Sequence, residues 1–181
     1  EIEACLVGSE MCIRDSVVIL PQRQVALLAK QCAEVAGLSD GRFRLGVGSG
    51  WNYVEYEALG VPWEGRGALM DEQIDVMRRL WTEELVDFDG DFHRIDRAAI
   101  APRPDALVPI WFGGFADVAL RRAARLGDGF TFTSSGSDTV ATLERLRTHI
   151  DDAGRDPQAF PVEFAIAFAS AASPATAQCF G

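Results

Sequence analysis

Basic residues are scarce in this sequence, which carries 17 Lys and Arg against 27 Asp and Glu, a formal net charge of −10. Nucleic-acid binding depends on Lys and Arg patches that displace counterions from phosphates, so this balance argues against a nucleic-acid partner. It leaves small anionic ligands open, because a glycine-rich loop can bind phosphate through backbone N–H groups without net positive charge.

Long apolar runs are also missing. No segment approaches the roughly 20 apolar residues of a membrane span, and no basic stretch is followed by an apolar one as in a secretory signal. The four cysteines show no metal-ligand spacing, so we predict no metal site and a reduced, cytoplasmic protein.

Histidine is rare, and neither of the two histidines is expected to act as a catalytic base. His93 lies beside a predicted turn and is expected to be solvated, and His149 lies on a predicted helix and is expected at the surface or at an interface. Solvated helix surfaces are also expected for two charged groups. They are Asp71, Glu72 and Asp75, and Arg121, Arg122 and Arg125.

One stretch fits neither helical nor strand periodicity. Residues 6–16, "LVGSEMCIRDS", resemble a translated sequencing adapter. We therefore expect residues 1–16 to be an artefactual segment, and residues 17–181 to form one incomplete domain.

The rest of the chain alternates between strand and helix patterns. Apolar runs at "VVILP", "RFRLGVG", "IWFGG", "GFTFT" and "VEFAIAFA" indicate buried strands. Apolar residues at helical spacing separate them, as at Met70, Ile74, Met77 and Trp81. This alternation predicts an α/β fold with a parallel sheet, either open and doubly wound or part of a (β/α)8 TIM barrel.

Residues 84–108 interrupt the alternation. "VDFDGDFHRI" alternates around Asp89-Gly90, which is a strong local hairpin signal, and a proline-rich connector follows. We predict an inserted hairpin here.

Glycines and small polar residues cluster where three predicted strands end. They are Gly48, Ser49 and Gly50 after one strand, Gly113 and Gly114 after the next, and Ser134, Ser135 and Gly136 after a third. Carboxyl ends of parallel strands share one face, where ligands bind. Glycine loops beside helix N-termini therefore predict a site for a phosphorylated, planar cofactor. Trp51, Phe115 and Phe130 would supply apolar walls, and Arg23 is a further candidate because it follows a strand end.

Two other glycine-loop interpretations compete. A dinucleotide fingerprint needs G-x-G-x-x-G, and here the spacing is G-x-G-x-G. "GVGSG" also resembles motif I of methyltransferases. That family requires a helix almost directly after the loop and an acid at the end of the next strand, whereas here a long segment intervenes and "IWFGG" ends in glycines.

From Val17 to about Phe132 the sequence resembles the luciferase-like monooxygenase family, most closely its branch that uses coenzyme F420, a 5-deazaflavin. The resemblance rests on "LPQRQVALLAKQ", "SDGRFRLGVGSGWNYVEYEALGVPWEGRG", "MDEQIDVMRRLWTE", "FDGDFHRI", "APRP", "PIWFGG" and "RRAARLGDGF" in this order. It implies a (β/α)8 TIM barrel, of which about five of eight strands are present, and a homodimer when full length.

The resemblance also implies the cofactor contacts. They are Gly48, Ser49, Gly50, Asn52, Phe112, Gly113, Gly114, Gly129 and Phe130. Relatives carry a non-proline cis peptide at the end of an early strand, which would fall between Val18 and Pro21 here. Related sugar-phosphate dehydrogenases place a glutamate soon after this glycine loop, near the place where Trp51 stands here. Their catalytic His and Trp come from strands without a counterpart here, so no catalytic residue is assigned.

The resemblance therefore predicts an oxidoreductase that transfers a hydride between F420 and a small organic substrate. An FMN-dependent monooxygenase of the same fold is the near alternative. An S-adenosylmethionine-dependent methyltransferase and an inactive fragment are the distant ones.

Overall fold

The computed structural model describes residues 13–14, 17–134 and 138–166. The main sheet contains β1 (Ile13–Arg14), β2 (Val18–Ile19), β3 (Phe43–Gly48), β6 (Ile110–Gly113), β7 (Gly129–Ser134) and β8 (Val162–Ile166), and a separate hairpin contains β4 (Val86–Asp89) and β5 (Arg94–Ala98). The helices are α1 (Val25–Leu38), α2 (Tyr53–Ala58), α3 (Arg66–Thr82), α4 (Asp117–Leu126) and α5 (Asp138–Asp152), with a 3₁₀ turn at Leu20–Gln22.

The order of the strands decides between the two predicted architectures. Strands β2, β3, β6, β7 and β8 are neighbours in chain order, and every pair among them is parallel. A doubly wound sheet reverses its order at a switch point, whereas a barrel does not. The structure therefore follows the barrel pattern, and the open doubly wound alternative is wrong.

The start of the sheet differs from the prediction. Only Val18 and Ile19 form a strand, and the chain then turns into the 3₁₀ helix at Leu20. The expected cis peptide between Val18 and Pro21 is absent, since the one cis bond in the described ranges joins Ala101 and Pro102. Ile13–Arg14, inside the segment predicted to be artefactual, pairs with the start of β3. The origin of residues 1–16 stays a prediction.

Helix packing follows the apolar spacing closely. Met70, Ile74, Met77 and Trp81 of α3 are all buried, as predicted. The indole Nε1 of Trp81 also donates to the carbonyl oxygen of Ala29 in α1 at 2.9 Å. That bond ties the two helices together and satisfies the buried polar atom of a large apolar side chain.

The strands present two different faces. Leu45, Val47, Ile110, Phe112 and Phe130 belong to the core formed with the helices. Since side chains alternate along a strand, the intervening residues face the inside of the barrel. They are Arg44, Gly46 and Gly48 on β3, Trp111 and Gly113 on β6, and Gly129 and Thr131 on β7. The inner face is therefore rich in glycine.

The predicted hairpin is present, since β4 and β5 are antiparallel, but its turn spans Gly90 to His93 because Asp89 pairs with Arg94. That residues 84–108 are an insertion stays a prediction. Glu72 of α3 holds this turn. Its carboxylate accepts from the backbone N–H groups of Asp91, Phe92 and His93 at 2.6–3.2 Å and contacts His93 Nδ1 at 2.8 Å. Glu72 and His93 are therefore not solvated, contrary to prediction.

Candidate functional site

The two glycine-ended strands, β3 and β6, lie side by side within the sheet and finish at the same end of it. β3 pairs with β6 through Val47 and Phe112, so Gly48 and Gly113 follow side by side. A Cβ placed on Gly48 would lie 3.6 Å from the carbonyl oxygen of Gly113. The structure thus brings Gly48, Ser49, Gly50, Gly113 and Gly114 together at the carboxyl ends of the strands, the face where such folds bind ligands.

The space beside these glycines is partly filled by the protein itself. A Cβ on Gly48 would come within 2.8 Å of one methyl group of Val17, and a Cβ on Gly113 within 2.7 Å of the other. A side chain at either glycine would therefore have to displace Val17, which is 44% exposed. Contact of a cofactor with the backbone of Gly48 and Gly113 stays a prediction.

The next glycines are needed for their backbone conformation. Gly50 has φ +67° and Gly114 has φ +144°, values that residues with a Cβ seldom adopt. Neighbours are also close, since a Cβ would meet Ile19 at 3.0 Å in the first case and Ala119 at 3.1 Å in the second. These two turns lie at the carboxyl ends of the strands. We call this end of the partial barrel, with Ser49, Gly50, Gly113 and Gly114, the mouth.

The side chains around the first loop are mostly engaged in holding it. Asn52, a predicted cofactor contact, caps α2: its Oδ1 accepts from the N–H of Val54 at 3.2 Å and its Nδ2 donates to Glu55 at 3.2 Å. Tyr56, which the sequence did not single out, donates its hydroxyl to the carbonyl oxygen of Ser49 at 2.5 Å.

Gly129 and the side chains of Phe112 and Phe130 lie apart from the glycines at the carboxyl ends of the strands. Gly129 begins β7 and pairs with Trp111, whereas Thr131, two residues later, pairs with Gly113. The indole of Trp111 covers the inner face of Gly129, so a ligand has no access to it there.

Phe112 and Phe130 point the other way, into the core beneath the helices, and Phe130 is fully buried. The wall predicted from the Phe130 side chain is therefore wrong. Backbone contacts at Phe112 remain a prediction. At the end of β7, the predicted Ser135 and Gly136 lie outside the described residues.

Trp51 and Phe115 do stand at the mouth. Trp51 directly follows Gly50 and is 87% exposed, and Phe115 directly follows Gly114 and is 60% exposed. Arg23 is also exposed, and its carbonyl oxygen accepts from Gln73 Nε2 at 3.0 Å. Their roles as apolar walls and as an anion contact stay predictions.

A cavity of about 610 Å³ lies elsewhere, on the outer helices α3, α4 and α5. Its arginines are already compensated: Asp71 accepts from Arg122 and Arg125, and Asp117 pairs with Arg121 and contacts His149. Asp71 and Arg122 thus form an ion pair between helices, where solvated surfaces were predicted. His149 contacts Asp117 of the neighbouring helix, and the sequence placed it at the surface or at an interface.

Two negative findings apply to the described ranges alone. No group of three or more His, Cys, Asp or Glu side chains there could hold a metal ion. Among the helices of the same ranges, none combines the length and the apolar character that a bilayer crossing requires.

A sequence profile of the luciferase-like monooxygenases matches residues 9–179. This chain belongs to the luciferase-like monooxygenase family. Membership confirms the partial-barrel fold class and removes the methyltransferase alternative, whose sheet is open.

Three proteins similar to this chain illustrate the chemistry found in the family. An F420-dependent glucose-6-phosphate dehydrogenase of Intrasporangium calvum is 40% identical over 132 residues, 70% of this chain and 39% of that protein. An FMNH2-dependent dimethylsulfone monooxygenase of Pseudomonas fluorescens is 33% identical over 132 residues, covering 71% and 35%. The structure of an F420-dependent secondary alcohol dehydrogenase with an F420–acetone adduct superposes with a TM-score of 0.73 at 25% identity, covering 86% and 48%.

Luciferase-like relatives of this chain thus include both F420-dependent and FMN-dependent oxidoreductases. The chain spans about half the length, or less, of the curated relatives it matches. In the described residues the sheet runs from β1 and β2 to β8 without closing.

Proposed function

We propose that this chain is the cofactor-binding part of an oxidoreductase that transfers a hydride between coenzyme F420 and a small organic substrate. The observation that carries the proposal is the meeting of the Ser49–Gly50 loop and Gly114 at one mouth of a luciferase-like partial barrel. F420-dependent relatives at 40% sequence identity and 0.73 TM-score support the choice of cofactor.

The residues at the mouth suit a planar, phosphorylated group in two respects. Gly50 and Gly114 expose backbone rather than side chains, and α4 begins three residues after Gly114 with no side-chain cap on its first N–H groups. Uncapped N–H groups at a helix N-terminus favour an anion such as a phosphate. Because Val17 fills the space between Gly48 and Gly113, the group would rest on this side chain and on the loops above it.

This arrangement suggests separate roles for the cofactor and the protein. When bound, F420 supplies the hydride-carrying ring, and the protein supplies binding and orientation. The Ser49–Gly50 loop and Gly114 would contact the cofactor through backbone atoms, and Trp51 and Phe115 would exclude water from its apolar parts. The predicted homodimer is part of the same proposal, and light scattering of the purified protein tests it.

Titration of the protein with F420 and, separately, with FMN tests the proposal. We expect F420 to bind with micromolar or better affinity and FMN to bind at least tenfold more weakly. Gly114→Val should abolish binding, because a β-branched residue does not adopt φ +144° and its side chain would collide with Ala119. Failure to bind either cofactor would overturn the proposal.

An FMN-dependent monooxygenase is the second candidate, favoured by the FMNH2-dependent relative at 33% identity. The two candidates differ in oxygen chemistry, because a deazaflavin does not activate oxygen as a flavin does. Oxygen uptake with reduced FMN, and none with reduced F420, would favour the monooxygenase. Binding of a cofactor without turnover of either kind would favour a chain that is inactive by itself.

A further inference from the structure

Tyr56 makes an unusual contact with the glycine loop. It is fully buried, and its hydroxyl donates to the carbonyl oxygen of Ser49, seven residues earlier, at 2.5 Å. Its ring also lies 3.4 Å from the position that a Cβ on Gly50 would occupy. One side chain therefore bonds to the Ser49 carbonyl oxygen and lies beside Gly50.

This contact determines the direction of a backbone donor. A trans peptide is planar, and its C=O and N–H bonds point in opposite directions. Since the Ser49 carbonyl points to the buried Tyr56 hydroxyl, the N–H of Gly50 points away from Tyr56. Within the described part of the chain, no acceptor bonds to this N–H.

Tyr56 is itself held firmly. Its ring meets that of Trp63 edge-on, with centroids 5.1 Å apart and an interplanar angle of 88°. The guanidinium carbon of Arg66 lies over the Trp63 ring, 3.5 Å from its centroid, and the guanidinium donates to the Trp63 carbonyl oxygen at 3.2 Å. Burial raises the pKa of Tyr56 above its usual range, while the Arg66 charge opposes this and the Glu55 charge adds to it. The hydroxyl therefore keeps its proton and remains a donor.

We infer that Tyr56 is a positioning residue that turns the Ser49–Gly50 peptide so that Gly50 N–H is presented at the mouth as a donor to a phosphate or carbonyl oxygen of the bound ligand. The inference rests on the proposed function for the identity of that ligand as F420 or FMN. The orientation of the peptide itself rests on the Tyr56–Ser49 contact alone.

Three single variants of the full chain separate orientation from packing. Tyr56→Phe removes the hydroxyl and keeps the ring. Trp63→Phe disturbs the packing of the Tyr56 ring and leaves the hydroxyl. Tyr53→Phe removes a hydroxyl from an exposed tyrosine three residues earlier in the same helix.

We expect Tyr56→Phe to weaken binding of the preferred cofactor about tenfold, the worth of one hydrogen bond of about 1.4 kcal/mol. The other two variants should stay within about twofold of the unmodified chain. Unchanged affinity in Tyr56→Phe would overturn the inference. Equal weakening in Trp63→Phe would also overturn it, because packing alone would then explain the effect.

A second measurement keeps the inference testable if neither cofactor binds, which would end the proposed function. Amide NMR of the ¹⁵N-labelled chain with added inorganic phosphate reports on Gly50 N–H directly. We expect phosphate to shift the Gly50 resonance in the unmodified chain and in Tyr53→Phe, but not in Tyr56→Phe. A Gly50 resonance that ignores phosphate in the unmodified chain, or responds equally in Tyr56→Phe, would contradict it.

Discussion

Two loops of this protein are each fixed by one side chain from a helix, and the two side chains differ in kind. Glu72 holds the hairpin turn from outside with a charged carboxylate and hydrogen bonds to three backbone N–H groups and a histidine ring. Tyr56 holds the Ser49–Gly50 loop from inside with one hydrogen bond from a neutral, buried hydroxyl.

The difference follows from what each loop offers. The hairpin turn presents a cluster of N–H donors, which a carboxylate can satisfy together at the protein surface. The glycine loop presents a carbonyl oxygen to the core, where an unpaired charge would be expensive and a hydroxyl is not. The hairpin should therefore depend on pH and the glycine loop should not.

The largest effect is expected at the hairpin. Glu72→Ala leaves three backbone N–H groups and the His93 ring without their shared acceptor, and should lower the free energy of unfolding by about 3 kcal/mol. Urea denaturation measures this. Asp75→Ala is the matched control on the same helix, since Asp75 makes an exposed pair with Arg79 worth roughly 0.3–0.5 kcal/mol. A loss below about 1 kcal/mol in Glu72→Ala would mean that the turn is stable without the carboxylate.

Acid should remove the same stabilisation in the unmodified chain. Burial alone would raise the pKa of Glu72, but hydrogen bonds from the His93 ring and from the N–H groups of Phe92, Asp91 and His93 hold it below its usual range. A carboxyl with a depressed folded pKa stabilises fully above its unfolded pKa, and this contribution is lost as pH falls through the folded value.

The stability gap between the unmodified chain and Glu72→Gln should accordingly narrow below about pH 4, near the unfolded pKa of a glutamate. Urea midpoints at a series of pH values measure the gap. If the gap widens in acid, the assigned sign is incorrect.

The sequence predicts one kind of contact in this fold and misses another. The helical spacing of Met70, Ile74, Met77 and Trp81 predicts burial, and all four are buried. Glycines after apolar runs predict the mouth, and Gly48 and Gly113 do lie together there. Both signals arise from local periodicity and from the rule that parallel strands share an end.

The features that the sequence missed depend on the strand register and on contacts between residues that lie far apart in the chain. Gly129 lies two residues before Thr131, the residue that pairs with Gly113. No local sequence pattern reports this register. The Glu72 contacts span 19 to 21 residues, and Tyr56 lies among acidic residues in a short helix, where its hydroxyl carries no sequence signal of a partner.

A smaller effect is expected at the glycine loop. Tyr56→Phe should lower the free energy of unfolding by about 1 kcal/mol, because one hydrogen bond is lost and a buried carbonyl remains unpaired. This loss should be equal at pH 4 and pH 7, since the hydroxyl is neutral at both. Urea midpoints at the two values compare it directly with the hairpin. A loss that changes with pH would remove the distinction between the two loops.

The smallest effect should come from Asn52, which caps the helix that carries Tyr56. Asn52→Ala removes the acceptor for the Val54 N–H and should cost about 0.5–1 kcal/mol, whereas Asn52→Asp keeps a capping oxygen and should cost less. Because α2 has only six residues, fraying at its start would loosen Tyr56 as well. Asn52→Ala should therefore speed hydrogen exchange at Val54 and also at Val61, whose N–H donates to the Tyr56 carbonyl oxygen, while the hairpin amides of Asp91 to His93 stay protected. Faster exchange at the hairpin amides as well would indicate a global loss of stability and would show that the two loops are not held independently.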